Sequence, residues 1–276
     1  MTIAISIKIN DGVVLASDSA STIISGTNVI NIYENTNKIF NLYKGLPIGA
    51  ITWGLGNIGS ASIDTLTKDF RRELKEKINV DSYKISDIAH MYSNYIYQLY
   101  NEHFKNKKND EKPNLGFMVV GYSKNAMFAE EYIINIKQGK LEGPTLIRGE
   151  KDWGMTWNGE IEPITRLYFG FSNFLPHILK EQLNLKNDEL NRVMESLKRR
   201  LTIPLVIPSM PIQDAIYLAE FLVDFVIKFS KFRPGAPTVG GPIEIAAITK
   251  HEGFKWVKRK HYYSKELNPK EVNDHE

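Results

Sequence analysis

Isoleucine recurs at every second position through Ile3, Ile5, Ile7 and Ile9, with Ala4, Ser6 and Lys8 between. Strict period-two alternation predicts a half-buried β-strand. A strand that starts this early fixes Thr2 at the mouth of a sheet instead of leaving it to fray. Asn10-Asp11-Gly12 follows, and an Asp-Gly between apolar runs signals a hairpin, so 13–16 predicts a second, antiparallel strand leading to Asp18. A looser hairpin is expected over 23–36 around Gly26-Thr27-Asn28. Lys38-Ile39-Phe40 then opens a strand pair that turns at Gly45-Leu46-Pro47 and returns over 48–53.

After Trp53 the period changes. Gly54-Leu55-Gly56-Asn57-Ile58-Gly59 leads into 60–78, where Ile63, Leu66, Phe70 and Leu74 recur at helical spacing. A second helix is predicted over 85–104, capped by Ser86, with Ile88, Met91, Tyr95, Ile96 and Leu99 on its buried side. Strands resume at 115–122 and 128–136, and a polar stretch with Gly139, Gly143 and Gly149 runs on to 161. A short buried strand is expected at 167–171, a helix over 173–185, and a very polar helix over 188–201 that reads as an appendage. The most apolar helix, 212–232, carries Ile216, Leu218, Phe221, Leu222, Phe225 and Phe229 and is expected between two layers. Segments 243–250 and 254–260 form a closing hairpin. Helices in consecutive pairs between antiparallel strands imply a layered α+β domain, not a doubly wound sheet. With no internal repeat or linker, 1–276 reads as a single domain, with a helical insertion near 186–210 and a charged, frayed tail near 264–276.

Composition narrows the chemistry. A net charge of +3 is too mild for nucleic acid, which asks for a basic stripe, and the basic runs at 105–108 and 255–260 read as solvated ends. The chain has no cysteine, which excludes disulfides, thiolate zinc and a cysteine nucleophile. Six scattered histidines offer no metal-ligand spacing, so neither metal nor cofactor is expected. No apolar run approaches the roughly 20 residues needed to span a bilayer, and Ser6 and Lys8 interrupt any signal-peptide core. A cytoplasmic protein without membrane contact is the expectation.

Thr2 stands directly behind the initiator, and its small side chain suits removal of Met1, which leaves a free amine beside the hydroxyl. A threonine hydroxyl is a weak nucleophile until a base takes its proton, and its own terminal amine is one solution. That amine titrates at about 7.7–8.0 when unperturbed; a nearby lysine lowers it further, and an aspartate holds the lysine. A backbone N–H must then receive the oxyanion. Asp18 ends the second strand, Lys38 begins the next pair and Gly56 precedes the first helix, an order that suits these roles.

Thr2, Asp18 within Gly-Val-Val-Leu-Ala-Ser-Asp-Ser, Asn-Lys-Ile at 37–39 and Gly-Leu-Gly-Asn at 54–57 resemble the proteasome β-type subunits of the N-terminal nucleophile hydrolases. Pro-Thr-Val-Gly-Gly-Pro-Ile-Glu-Ile at 237–245 resembles the last strand of the bacterial proteasome-like subunits of Anbu/HslV type. The resemblance implies a four-layer αββα sandwich of two antiparallel sheets covered by helices. It implies Thr2 as nucleophile and, through its amine, base, with Asp18 and Lys38 tuning it and the Gly56 amide in the oxyanion hole. On the same grounds Thr22 pairs its backbone with an extended substrate, and Ser21, Gly54 and Ile58 shape the first specificity pocket. Ser172 and Thr238 are the candidates for supporting hydroxyls, and Lys38 follows a longer hairpin than is usual. The implied activity is a threonine peptidase acting on peptide or unfolded polypeptide, in a ring or helical homo-oligomer, with an ATPase partner open.

Three other readings use the same residues. One is a catalytically inactive assembly subunit, and another an N-terminal nucleophile amidase acting on a small amide. The third is a dinucleotide site, since Gly54, Gly56 and Gly59 spell G-x-G-x-x-G between a strand and a helix. Against it stand hairpin connections, a second consecutive helix, and no acidic residue at the end of a second strand, Glu73 and Glu76 lying within the helix.

Overall fold

The computed structural model describes residues 2–25 and 28–260. Gly26, Thr27 and the expected tail lie outside the described residues. In chain order the strands are β1 (Ile3–Ile9), β2 (Gly12–Ser17), β3 (Ser21–Ser25), β4 (Asn28–Tyr33), β5 (Ile39–Asn41), β6 (Ile48–Gly54), β7 (Asn57–Ile58), β8 (Ala61–Ser62), β9 (Leu115–Gly121), β10 (Glu130–Lys137), β11 (Lys140–Arg148), β12 (Gly154–Gly159), β13 (Glu244–Thr249) and β14 (Gly253–Lys258). The helices are α1 (Ile63–Lys77), α2 (Ile85–Phe104), α3 (Glu162–Phe169), α4 (Leu175–Leu183), α5 (Asn187–Leu201) and α6 (Ile212–Phe232). They build a mixed α and β structure around two five-stranded sheets, ordered β12-β1-β2-β13-β14 and β11-β10-β9-β6-β5. Every pairing within both is antiparallel.

Three apolar cores hold these parts. Leu66, Phe70, Tyr92 and Ile96 of α1 and α2 pack on Phe117, Val119 and Ile134 of the second sheet. Val13, Leu15, Ile51, Met118 and Ile248 come from both sheets and fill the space between them. Ile3, Ile5 and Ile7 of the first sheet pack against Leu222, Val223 and Val226 of α6 and Ile164 of α3.

β1 is buried along its whole length, not on one face. Its isoleucines lie in the α6 core, while its polar positions turn to charged partners inside the molecule. Ser6 Oγ donates to the fully buried carboxylate of Glu131 on β10, which also holds Arg148 at 2.6 Å. Lys8 Nζ donates to the carbonyls of Gly149 at 2.8 Å, Glu150 at 3.2 Å and Asp152, and burial lowers its pKa. Period two therefore marks two chemically different buried faces here. The residues alternate as expected, but water is on neither side.

Other expectations change too. Residues 167–171 are no strand: Pro163 in the first turn and the left-handed Gly170 after the last fit a helix, as proline at a helix start and glycine past its end generally do. Ser86 does not cap α2, whose N-cap is Lys84; the Ile85 N–H is instead satisfied by Ser123 Oγ at 3.0 Å. α1 begins at Ile63, with Ser62 Oγ accepting from the Thr65 N–H. The glycine-bearing stretch before 161 contains β11 and β12. α6 buries one face only, leaving Tyr217, Phe221 and Phe232 exposed, and α5 packs on α3 and α4.

Candidate active site

The register of β12 against β1 places Thr2. Ile3 pairs with Gly159, and the Glu160 N–H donates to the Thr2 carbonyl at 2.7 Å. Only glycine fits at 159: its φ is +93°, and a Cβ there would lie 1.8 Å from the Thr2 oxygen. Thr2 itself is buried.

Asp18 follows β2 and is fully buried. One carboxylate oxygen accepts from the Ile3 N–H at 3.0 Å and from Lys38 Nζ at 2.5 Å. The other accepts from the N–H groups of Ala20 at 3.2 Å and Gly240 at 3.1 Å. A buried carboxylate is tolerable when so many donors surround it. Lys38 stands just before β5, its carbonyl accepting from the Thr52 N–H at 2.9 Å. Burial drives its pKa below the ordinary lysine value, against the pull of Asp18 in the other direction.

Thr2 and Lys38 open onto one cleft of about 650 Å³, lined also by Ser21, Thr22, Gly54 and Gly56. Trp53, Leu55, Asn37, Asn57 and Asn114 complete much of its wall. Asn37 Oδ1 is buried without a hydrogen-bond partner among the described residues. Gly54, at φ +87°, lets the chain pass Asn114, whose carbonyl would stand 2.6 Å from a Cβ and which accepts from the Leu55 N–H at 3.0 Å. The fold thus brings Thr2, Asp18, Lys38, Ser21, Thr22, Gly54 and Gly56 together.

Three residues singled out in the sequence lie elsewhere. Ile58 is buried in the α1–α2 core and does not line the cleft. Ser172 Oγ donates to Glu162 at 2.6 Å and accepts from the Phe174 N–H at 3.1 Å, pinning the corner between α3 and α4. Thr238 lines a separate cavity of about 230 Å³ with Glu160, Phe229 and Arg233, and its hydroxyl has no hydrogen-bond partner among the described residues. Gly240, not Thr238, is the residue of that loop that reaches Asp18.

Sequence reasoning missed Gly159, Gly240, Glu244 and Lys260, which all surround the Asp18–Lys38 pair or Thr2. A lone acid inside Ile243-Glu244-Ile245 was the available signal for one of them. The glycine turn at 54–59 runs into the small β7–β8 hairpin, and β6 has only antiparallel neighbours, so the parallel strand a dinucleotide site requires is not beside it. Among the described residues no cluster of three or more metal-ligating side chains occurs, and no helix is long and apolar enough to cross a membrane.

No family model matches the sequence, and no curated protein matches it either. Solved structures do match the fold. Anbu (ancestral beta-subunit) from Yersinia bercovieri is similar at a TM-score of 0.53 and 12% identity, covering 95% of this chain and 89% of that one. A Gly-1 mutant of Anbu from Hyphomicrobium sp. strain MC1 is similar at 0.50 and 14% identity, covering 96% and 88%. The helical assembly of the Anbu complex from Pseudomonas aeruginosa gives 0.51 and 14% identity, covering 95% and 88%. The chain therefore has the proteasome-like fold of these subunits, over nearly its whole described length.

Proposed function

We propose that this proteasome-like chain is a four-layer αββα N-terminal nucleophile hydrolase, a threonine peptidase whose nucleophile is Thr2 after removal of Met1. The observation that carries the reading is the convergence of Thr2, Lys38 and Gly56 on one cleft, with Asp18 behind Lys38 and on the Ile3 N–H.

In this mechanism Thr2 Oγ1 attacks the peptide carbonyl carbon and its proton passes to the terminal amine. The Gly56 N–H receives the oxyanion. The carbon–nitrogen bond breaks, the leaving amine takes the proton from the Thr2 amine, and an ester to Thr2 remains. Water, deprotonated by the same amine, then releases the acid and restores the hydroxyl. The positive charge of Lys38 disfavours a protonated amine beside it, and Asp18 keeps that lysine in place. Extended polypeptide is the substrate proposed, lying along β3 at Thr22, and self-association into a homo-oligomer is part of the reading, as the assembled Pseudomonas aeruginosa complex supports by analogy.

The test is a peptide-library hydrolysis assay on protein whose intact mass shows Met1 removed. Thr2→Ala is expected to lower kcat by at least about a thousandfold, the scale on which removal of a nucleophile acts, and to abolish labelling by threonine-directed electrophiles. Unchanged hydrolysis would sink the proposal, and cleavage of small amides alone would move it to the amidase reading.

A further inference from the structure

The basic run at 255–260, read from the sequence as solvated, ends in a lysine that is not. The side chain of Lys260 is 6% exposed and that of its partner Glu244, the first residue of β13, is fully buried; they meet at 2.9 Å. Lys260 Nζ donates to Ser19 Oγ at 2.7 Å and to the Thr36 carbonyl at 2.9 Å, while its contact with Glu244 is one of charge: neither Glu244 carboxylate oxygen has a hydrogen-bond partner among the described residues. Ser19 follows Asp18 in sequence, and Thr36 lies two residues before Lys38. The Thr36 N–H also donates to the Ser19 carbonyl at 2.9 Å, so Lys260 clamps the same two segments from the side-chain direction.

We propose that Glu244 and Lys260 are a positioning pair: Lys260 fixes the segment carrying Asp18 against the segment carrying Lys38, and Glu244 balances its charge. A buried ion pair rarely improves on apolar packing in stability, so its place beside another buried pair calls for a second reason. Asp18, Lys38, Glu244 and Lys260 form a largely buried array of two acids and two bases whose formal charges cancel. Lys38 faces Asp18, Glu244 and Lys260; Lys260 faces Glu244, Asp18 and, farther off, Asp64. The charge of Lys260 biases Lys38 toward its neutral form and that of Glu244 biases it toward the charged form. For its kinetic consequence this inference rests on the hydrolase reading above; for its effect on Lys38 it does not.

The experiment therefore has two arms. In the first, the full chain labelled with ¹³Cε-lysine is titrated by NMR, the Lys38 resonance being identified by its loss in Lys38→Arg. The Lys38 midpoint is expected to rise in Lys260→Met and to fall in Glu244→Gln, the signs expected when a like or an opposite neighbour is removed. Lys260→Arg, which keeps the charge and the donors, should leave it near wild type. In the second arm, Lys260→Met and Glu244→Gln are expected to lower kcat by up to about a hundredfold, the cost of misplacing a reacting group by about 1 Å, with KM nearly unchanged.

A Lys38 midpoint that stays fixed, or that moves the same way in both variants, overturns the proposal. If Lys260→Met fails to fold, Glu244→Gln decides it by the sign of its shift, a fall, with Lys260→Arg as the reference that should not move. Shifted midpoints in the variants, with a wild-type protein that cleaves nothing, would leave the pair standing and remove the hydrolase reading; fixed midpoints with Thr2-dependent cleavage would do the reverse.

Discussion

At the scale of single residues, the position of Thr2 depends on an atom that is missing. Gly159→Ala would set a methyl group 1.8 Å from the Thr2 oxygen in a left-handed backbone, so β12 must part from β1 or Thr2 must move. The substitution is expected to cost more than the roughly 1–2 kcal/mol that left-handed backbone alone imposes on an alanine. Gly253→Ala is the control, since its φ is +69° with nothing within 4 Å of the added carbon. Urea unfolding of both variants checks this; equal losses would show that the Thr2 contact does not matter. The grouping of Thr2, Asp18 and Lys38 was legible in the sequence because it resides in side-chain type and in order near one end of the chain, and Gly56 was legible through the glycine-rich turn between strand and helix on which the resemblance rests. Gly159 and Gly240 were not, because each contributes backbone, and a glycine's neighbours are unknown until the chain has folded. Lys260 was hidden differently: it ends a run of basic residues that looks solvated, and its partners Ser19, Thr36 and Glu244 all lie outside that run.

At the scale of elements, the Asp-Gly turn identified β2, and the hydrophobic period identified β1, α1, α2 and α6, each of which buries a continuous apolar stripe. It failed for β11, an outer strand with mostly exposed residues, where no burial pattern was there to read. It also failed at α3, whose Leu167-Tyr168-Phe169 run resembles a short buried strand. Glu162 fixes that helix to α4. Burial alone would raise its pKa, but hydrogen bonds from Ser172, the Asn173 N–H and Arg166 outweigh that and hold the carboxyl below its usual value. A depressed carboxyl contributes stability that is complete above its unfolded value of about 4.5 and is lost as pH falls through the folded value. Glu162→Gln should therefore lower the melting temperature by about 2–4 °C at pH 7, for about 1 kcal/mol of lost charged hydrogen bonding. The gap between variant and wild type should close below pH 4.5 in thermal scans followed by circular dichroism. A gap that persists in acid would mean the corner is held by packing instead.

At the scale of the whole molecule, the mixed α and β fold with its two five-stranded antiparallel sheets matches Anbu structures at identities of 12–14%. So few shared residues can keep a fold because its cores ask for apolar volume at the right period more than for particular side chains. The outer face of α6 has no such interior to enter. Tyr217, Phe221 and Phe232 are exposed there, beside an apolar hollow of about 670 Å³. If self-association covers this face, native mass spectrometry should find species above the monomer, and Phe221→Glu should shift them toward monomer without changing the circular dichroism spectrum. Monomer alone at micromolar concentration would remove homo-oligomerisation from the proposed function. The carboxylate of Asp18 is held by residues 3, 20, 38 and 240, a set drawn from almost both extremes of the chain. During synthesis, then, the first forty residues emerge with every group the chemistry names except Gly56, yet Asp18 lacks its Gly240 contact until residue 240 has left the ribosome. A nascent chain therefore carries Thr2, Asp18 and Lys38 long before the set of contacts around the Asp18 carboxylate is complete.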